Sequence, residues 1–314
     1  MREYSVVAVV ATLDRPAEVA RLIKSLVPSA LYMVGVVIVD NGGNLDLNQI
    51  YNGVELSVGI CHPQRNLGCG GGLHFGMKSA RERFGSQITH FLLLDDDAVL
   101  PPDAIGSLIE RGQAVNADVI YPMVIDREGR IGWFPGLRSP LPWKTIRRVQ
   151  TPGDYLKICG PEPVPFSWSP GVCLLVSRTA VEVMGFPAVD FWVRGEDLEY
   201  SLRLTSRFRS AFIPDVVVQH LVSQPIYNSK AAELLKHLAM LQNVAYLATR
   251  LPYGRRTLRH LPGNIFRFFQ ANGYSLSHFG SLCAALWLGM FAGRPAGADG
   301  YNLFEKRYAR LALD

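Results

Sequence analysis

Three consecutive carboxylates, Asp95, Asp96 and Asp97, follow the uncharged run Phe91-Leu92-Leu93-Leu94 and precede a turn at Pro101-Pro102. A short apolar run of this kind reads as a strand covered on both faces. Successive strand residues point to opposite faces, so Asp95 and Asp97 are expected to share one face while Asp96 looks elsewhere. Two hard oxygen ligands at the C-terminal end of a buried strand suit a divalent cation such as Mg²⁺ or Mn²⁺. The competing reading is an acidic loop that caps the next helix. His220 ends another strand-like run, Val216-Val217-Val218-Gln219. A lone histidine is more often structural, but an imidazole beside two aspartates suits Mn²⁺.

A second acidic cluster lies in Phe191-Trp192-Val193-Arg194-Gly195-Glu196-Asp197-Leu198-Glu199-Tyr200. Gly195 is expected to open a helix whose first turn carries Glu196, Asp197 and Glu199, where the helix dipole favours carboxylates. Capping explains one acid. A general base shielded from bulk water is the chemical use for another. Polar groups also sit at three further strand ends, namely Thr12 to Arg15, Asp40-Asn41, and Arg65 to Gly72. Thr12 could contact a base and Asp40 a ribose hydroxyl or a base N–H. Arg65 could meet a phosphate, with glycines letting backbone N–H groups approach it. The chain has no GxxxxGK[ST], and no GxGxxG follows the first strand, so neither a P-loop nor a dinucleotide fingerprint is present.

The elements that must position these groups are readable from periodicity. Strands are expected at 4–11, 34–39, 54–60, 91–94, 117–123, 171–177, 211–214 and 216–218. Helices are expected at 17–26, 73–83, 103–111 (capped by Asp103) and 178–184. Strands separated by helical segments indicate βαβ units and a mostly parallel sheet, in which ligands bind at the C-terminal strand ends. Residues 126–165 read as an irregular excursion, long enough to be a lid or binding loop. After Tyr227 the pattern changes to helices, beginning with an amphipathic one at 231–250. The stretch Leu282 to Phe291 is apolar all round but short and glycine-broken for a membrane span. It reads either as an interfacial helix with Trp287 at headgroup level, or as a helix packed on the catalytic part or on a partner.

The 314 residues carry a formal charge of +5, and 48% are apolar. From Leu221 onward eleven Lys/Arg face four Asp/Glu, so the rest of the chain is slightly acidic. A basic tail suits phosphates or an anionic membrane surface. The five cysteines form no CxxC pair and no zinc-finger spacing, which reads as reduced thiols in a cytosolic protein. Met1-Arg2-Glu3-Tyr4 enters a strand at once, so no signal peptide is expected. The basic residues match no nucleic-acid reading helix or stacking module.

Six motifs occur in one order: Thr12-x-x-Arg15, Asp40-Asn41, Arg65-Asn66-x-Gly-x-Gly-Gly, Asp95 to Asp97, Gly195-Glu196-Asp197-x-Glu199-Tyr200-x-Leu202-Arg203, and His220. Together, over about residues 4–222, they resemble the family 2 inverting glycosyltransferases of GT-A fold, and most of all the bacterial galactofuranosyltransferases and rhamnosyltransferases of cell-envelope assembly. The resemblance implies a GT-A α/β catalytic domain over residues 1–226, with its donor half at about 1–125 and its acceptor half at about 126–226. A helical extension at 227–314 would follow. It implies that Asp95, Asp97 and His220 bind Mn²⁺ or Mg²⁺, and that Asp197 is the base, with the adjacent Glu196 as its rival. Thr12, Arg15, Asp40, Asn41, Arg65, Asn66, Gly71 and Asp96 would serve the nucleotide-diphosphate sugar, of UDP or dTDP type. Trp168, Trp192 and Glu196 would shape the sugar or acceptor site. Cys69, Leu73 and His74 depart from the pattern, which bears on sugar identity more than on chemistry. The expected acceptor is a lipid-linked or envelope glycan reached at the cytoplasmic membrane surface, with no nucleic acid involved and a homo-oligomer compatible. The competing functions are a sugar nucleotidyltransferase, which should carry a Gly-rich, Lys-containing signature after the first strand, and a non-catalytic sugar-nucleotide-binding subunit, which should have lost a ligand or the base.

Overall fold

The structure, a computed structural model, describes residues 4–53, 55–139, 141–142, 145, 147–191, 194–222 and 230–292. Its strands are β1 (Val6–Thr12), β2 (Met33–Asp40), β3 (Val58–Cys61), β4 (His90–Asp95), β5 (Ala98–Val99), β6 (Val119–Ile125), β7 (Gly136–Leu137), β8 (Phe166–Trp168), β9 (Cys173–Ser177) and β10 (Ser210–His220). Eight of them form one sheet in the order β3-β2-β1-β4-β9-β6-β10-β5, and β7 and β8 form a separate ribbon. The pairings β1 with β2, β1 with β4, β2 with β3 and β6 with β10 are parallel. β9 runs antiparallel between β4 and β6. The sheet is therefore mostly parallel. Its interior strands are buried along their length, as the uncharged runs at 6–10, 36–39 and 91–94 require.

The helices that cover this sheet follow the apolar spacing. Helix α1 (Pro16–Leu26) buries Val19, Leu22, Ile23 and Leu26, one face at periods of three and four. A short α2 (Leu47–Ile50) is capped by Asp46. Helix α3 (Gly68–Phe84) starts five residues before the expected Leu73, so the glycine run lies inside its first turns. Close packing accounts for this. A Cβ on Gly72 would lie 2.8 Å from the Ala11 Cβ, and one on Gly76 would lie 2.6 Å from the Val9 Cγ1. The glycines thus let α3 settle directly onto β1. In α4 (Ala104–Ala114) Asp103 occupies the N-cap position but makes no side-chain cap, contrary to expectation. Within the irregular excursion, α5 (Pro152–Cys159) is held by a Thr151–Asp154 capping box. Helices α6 (Arg178–Met184) and α7 (Glu196–Thr205) follow. Strand β3 is shorter than expected, and 211–218 is one long strand whose register shifts between Ile213 and Val217, around Pro214.

After these come α8 (Lys230–Arg250), α9 (Leu261–Asn272) and α10 (Leu276–Met290). They share a core of Leu234, Leu238, Leu241, Phe268, Leu282 and Ala285. The described residues within 1–65, 72–186 and 201–223 make one compact unit, and those within 66–71, 187–200 and 224–314 a second. All five cysteines are free thiols. Among the described residues no helix is long and apolar enough to cross a membrane.

Candidate active site

The acidic triplet is positioned by a strand reversal. Asp95 is the last residue of β4, Asp96 and Asp97 form a turn, and β5 then pairs antiparallel with the end of β10. That register sets Ala98 opposite His220, and the backbone N–H of Leu221 donates to the Asp97 carbonyl at 3.0 Å. The imidazole is thereby brought to the carboxylates. His220 Nε2 lies 2.7 Å from Asp97 Oδ1 and 3.5 Å from Asp95 Oδ2. Ligand atoms of all three residues fall within 4.8 Å of one another. Burial disfavours the imidazolium, but its hydrogen bond to the Asp97 carboxylate and the charges of Asp95, Asp97 and Asp96 outweigh it and raise the His220 pKa. The indole of Trp133 meets the imidazole edge-on, with ring centroids 4.2 Å apart.

Around an octahedral Mg²⁺ or Mn²⁺ with bonds of roughly 2.1 Å, neighbouring ligand atoms stand about 3 Å apart and opposite ones about 4 Å. The two separations from the imidazole nitrogen, 2.7 Å and 3.5 Å, lie near that range, and hard oxygens with one imidazole are a donor set these ions accept. The residues present fit the ion.

Asp96 looks away from this cluster, as strand alternation requires, and its inward partners are Thr12 and Arg15. The Thr12 hydroxyl donates to Asp96 Oδ2 at 2.6 Å. Arg15 Nη1 donates to Asp96 Oδ1 at 2.8 Å and to Asp97 Oδ2 at 3.2 Å. Burial pushes the Asp96 carboxyl up, against the opposing pull of Arg15 and Thr12. For Arg15, burial is outweighed by Asp96 and Asp97, and its pKa rises. Thr12 is buried and its hydroxyl is committed to Asp96. Thr12, Arg15 and Asp96 form a brace behind the acidic turn.

The other strand-end residues divide between loop building and open surface. Asp40 is buried, its carboxylate accepting from the N–H of Gly42 at 3.0 Å and of Leu45 at 2.8 Å, with His62 Nδ1 at 3.3 Å. These bonds account for Asp40 as the organiser of its loop. Asn41 follows it, with its backbone N–H bonded to the Thr12 carbonyl at 2.9 Å. Arg65 is exposed beyond β3. In the second unit Asn66 accepts from the Gly68 N–H at 2.8 Å, and Gly71 lies buried in the first turn of α3. The glycine run forms the start of α3. A Cβ on Gly70 would lie 2.7 Å from the Phe191 carbonyl oxygen and 3.0 Å from the Glu196 Cβ, so this glycine seats the 187–196 segment.

Glu196 and Asp197 open α7 half-buried, and the next acid, Glu199, is buried and accepts from the Tyr253 hydroxyl at 2.9 Å. The turn before them carries Arg194 at φ +61° and Gly195 at φ +99°. Asn243, fully buried in α8, donates to the Arg194 carbonyl at 2.6 Å. Trp168 sits in β8 beside Gly136 of β7, where any Cβ would strike its indole. Trp192 lies outside the described residues. Sequence reasoning missed Trp133, Asn243 and Tyr253. Trp133 lies in the aperiodic excursion and takes φ +46°, which no local residue pattern announces.

A family profile described as "Glycosyl transferase family 2" matches residues 7–165. Among characterised proteins, the chain is similar to galactofuranosyltransferase GlfT1 of Mycobacterium tuberculosis, 28% identical over 204 residues. That match covers 64% of this chain and 64% of the relative, so this chain spans under two thirds of the relative's length. It is also similar to the low-salt glycan biosynthesis hexosyltransferase Agl10 of Haloferax volcanii, 25% identical over 183 residues, 58% of this chain and 56% of that one. Among solved structures, S. aureus TarS 1-349 in complex with UDP-GlcNAc superimposes with a TM-score of 0.59 at 14% identity, covering 93% of this chain and 82% of that one. GalNAc-T7 with UDP, GalNAc and Mn2+ superimposes with a TM-score of 0.52 at 15% identity, covering 90% and 58%. At such identities the structural likeness establishes a shared fold, of GT-A type.

Proposed function

The chain belongs to glycosyl transferase family 2, whose profile spans half of it, and from that premise we propose that it is a metal-dependent inverting glycosyltransferase. Its donor is a nucleotide-diphosphate sugar of UDP or dTDP type carrying a galactofuranose- or rhamnose-like hexose. Its acceptor is a hydroxyl of a lipid-linked or cell-envelope glycan, met at the cytoplasmic face of the membrane. The observation that carries this reading is the convergence of Asp95, Asp97 and His220, from two strands far apart in the chain, within 4.8 Å. The GlfT1 likeness supports the donor class.

In this reading Asp95, Asp97 and His220 would hold Mn²⁺ or Mg²⁺, and the bound ion would supply Lewis-acid neutralisation of diphosphate charge. Thr12, Arg15 and Asp96 fix the turn that presents those carboxylates. Asp197 accepts the proton of the acceptor hydroxyl as its oxygen bonds to the anomeric carbon, while the bond from that carbon to the diphosphate breaks on the opposite side. Attack from that side inverts the anomeric configuration. Glu196 and Trp168 contribute to the acceptor side, and Arg65 to the donor phosphates.

The test is release of nucleoside diphosphate from a panel of UDP- and dTDP-sugars with Mn²⁺, alongside titration calorimetry of donor binding. Asp97→Asn is expected to lose the metal-dependent part of donor binding. Asp197→Asn is expected to bind donor as the wild type does and to lose turnover. Undiminished turnover in Asp197→Asn would remove Asp197 from the role, and donor binding indifferent to metal would remove the cation.

A further inference from the structure

Helix α10 is mounted with its small residues inward. Ser281, Ala285 and Gly289, spaced four apart, are buried, and a Cβ on Gly289 would press on the Gln242 carbonyl and lie 2.9 Å from the Ala245 Cβ of α8. Small residues allow that close approach. Leu282 joins the shared core, while four large apolar side chains, with the exposed Cys283 between them, form an outward stripe at spacings of three and four. Leu276 is 93% exposed, Phe279 56%, Trp287 57% and Phe291 68%. Phe266 of α9 (61%) and Tyr274 of the connecting turn (79%) add two more aromatic rings. Among the described residues these are all the exposed Phe, Tyr and Trp side chains. A helix that packs through small residues and leaves four bulky apolar side chains exposed presents a face to a second apolar phase.

The charge of the same segment of chain selects the occupant. From Leu234 to Ala298 the sequence contains no Asp or Glu, against seven Lys or Arg. Arg255, Arg259 and Arg267 are exposed at and before α9, and Arg259 Nε approaches His260 Nε2 at 3.3 Å. Burial lowers the His260 pKa, and the charges of Arg259 and Arg267 add to it. A second copy of the same surface would bring like charges face to face, whereas an anionic headgroup layer neutralises them. Since no described helix can cross a bilayer, the geometry is that of an element lying along the interface, with Trp and Tyr at headgroup depth.

We propose that the outward face of α9 and α10 is a docking surface for an anionic lipid bilayer, with Phe279 and Trp287 entering the headgroup–acyl boundary and Arg255, Arg259 and Arg267 meeting lipid phosphates. This deepens the proposed function and rests on it only for the acceptor being lipid-linked; docking needs neither donor nor acceptor.

The test is flotation of the full chain with vesicles of phosphatidylcholine alone, and with roughly a third phosphatidylglycerol, at low and high salt. The wild type is expected to float with the anionic vesicles and to be released by salt. Leu276→Ser/Phe279→Ser/Trp287→Ser is expected to lower the partition coefficient about a hundredfold, because three large apolar side chains no longer enter the lipid. Arg255→Gln/Arg259→Gln/Arg267→Gln is expected to lower it about tenfold or more at low salt, with the remaining binding insensitive to salt. All six positions are exposed, and unchanged circular dichroism and donor binding in both variants verify the fold. Absence of flotation in the wild type overturns the proposal. So does serine-variant flotation equal to the wild type's, or a concentration-dependent wild-type dimer that the serine variant abolishes. Flotation without any donor binding would retain the docking surface and dismiss the transferase reading.

Discussion

Arg15 is the brace whose removal can be reasoned through quantitatively. Its guanidinium bonds Asp96 and Asp97, and the side chains of the three are 21%, 9% and 5% exposed. Replacing it by methionine keeps the stem and its packing but leaves two enclosed carboxylates without their cation. Removing one partner of a buried pair costs roughly 3–5 kcal/mol. Two features reduce that here. Arg15 retains a fifth of its surface in water, and Thr12 still donates to Asp96. The expected cost is about 2–3 kcal/mol, a factor of roughly 30 to 150 in the folding equilibrium. The origin of the cost is specific: it is stranded negative charge, not lost attraction. Asp96→Asn in the same chain should therefore recover about half of it or more, giving a coupling of at least about 1 kcal/mol in a double-mutant cycle. The assay is urea denaturation of the two single variants and the double variant, with m-values compared to verify a common transition. Additive single costs would refute the reasoning, because they would mean that Asp96 gains nothing from Arg15.

Three further outcomes follow from the packing and the titrating groups. Gly76→Ala pits propensity against space: alanine in a helix interior gains about 1 kcal/mol, but the new Cβ would stand 2.6 Å from Val9 Cγ1 and 2.9 Å from Val39 Cγ2, both in central strands. Overpacking of this kind costs about 1–3 kcal/mol, so a net loss of about 1 kcal/mol is expected in the same urea titration, and a gain would show that α3 is free to shift. Asn243→Ala leaves the Arg194 carbonyl without its 2.6 Å donor and should loosen the left-handed turn before Glu196 and Asp197; kcat should fall about tenfold with donor affinity unchanged, and an unaltered kcat would dissociate the turn from turnover. Burial lowers the His90 pKa below 6.5, with Asp118 opposing, so the unfolded chain takes up a proton first as pH falls. The contribution is complete above pH 6.5 and declines below it, so His90→Gln should narrow the stability lost by the wild type between pH 7 and 5; parallel pH curves for the two proteins would contradict this.

The parts of the site legible in the sequence are those that strand geometry dictates. An apolar strand ending in a carboxylate triplet fixed which aspartates look outward and which looks in, and a β-branched run ending in His220 supplied a neighbour of the right chemistry. What alternation does not specify is the inward partner. Thr12 and Arg15 read as ligand contacts because they stand at or just past a strand end; that end adjoins β4, and the structure adds bonds from both to Asp96 that no local pattern announces. The glycine run has two uses for a related reason. Glycine permits close approach to a phosphate or to another element alike, and at Gly72 and Gly76 the element approached is β1, through Ala11 and Val9. Trp133 and Asn243 act through pairings remote in sequence, one across to His220 and one to the Arg194 carbonyl, so no window of the chain contains both partners. Helix α10 is the instructive case. Being apolar all round, it offers no stripe to read, and its outer face emerges only once Gly289 and Ala285 are seen pressed against α8. A sequence can state that a helix is hydrophobic. Which side of it remains for something else to cover is decided by the smallest side chains, because they determine where its neighbour sits.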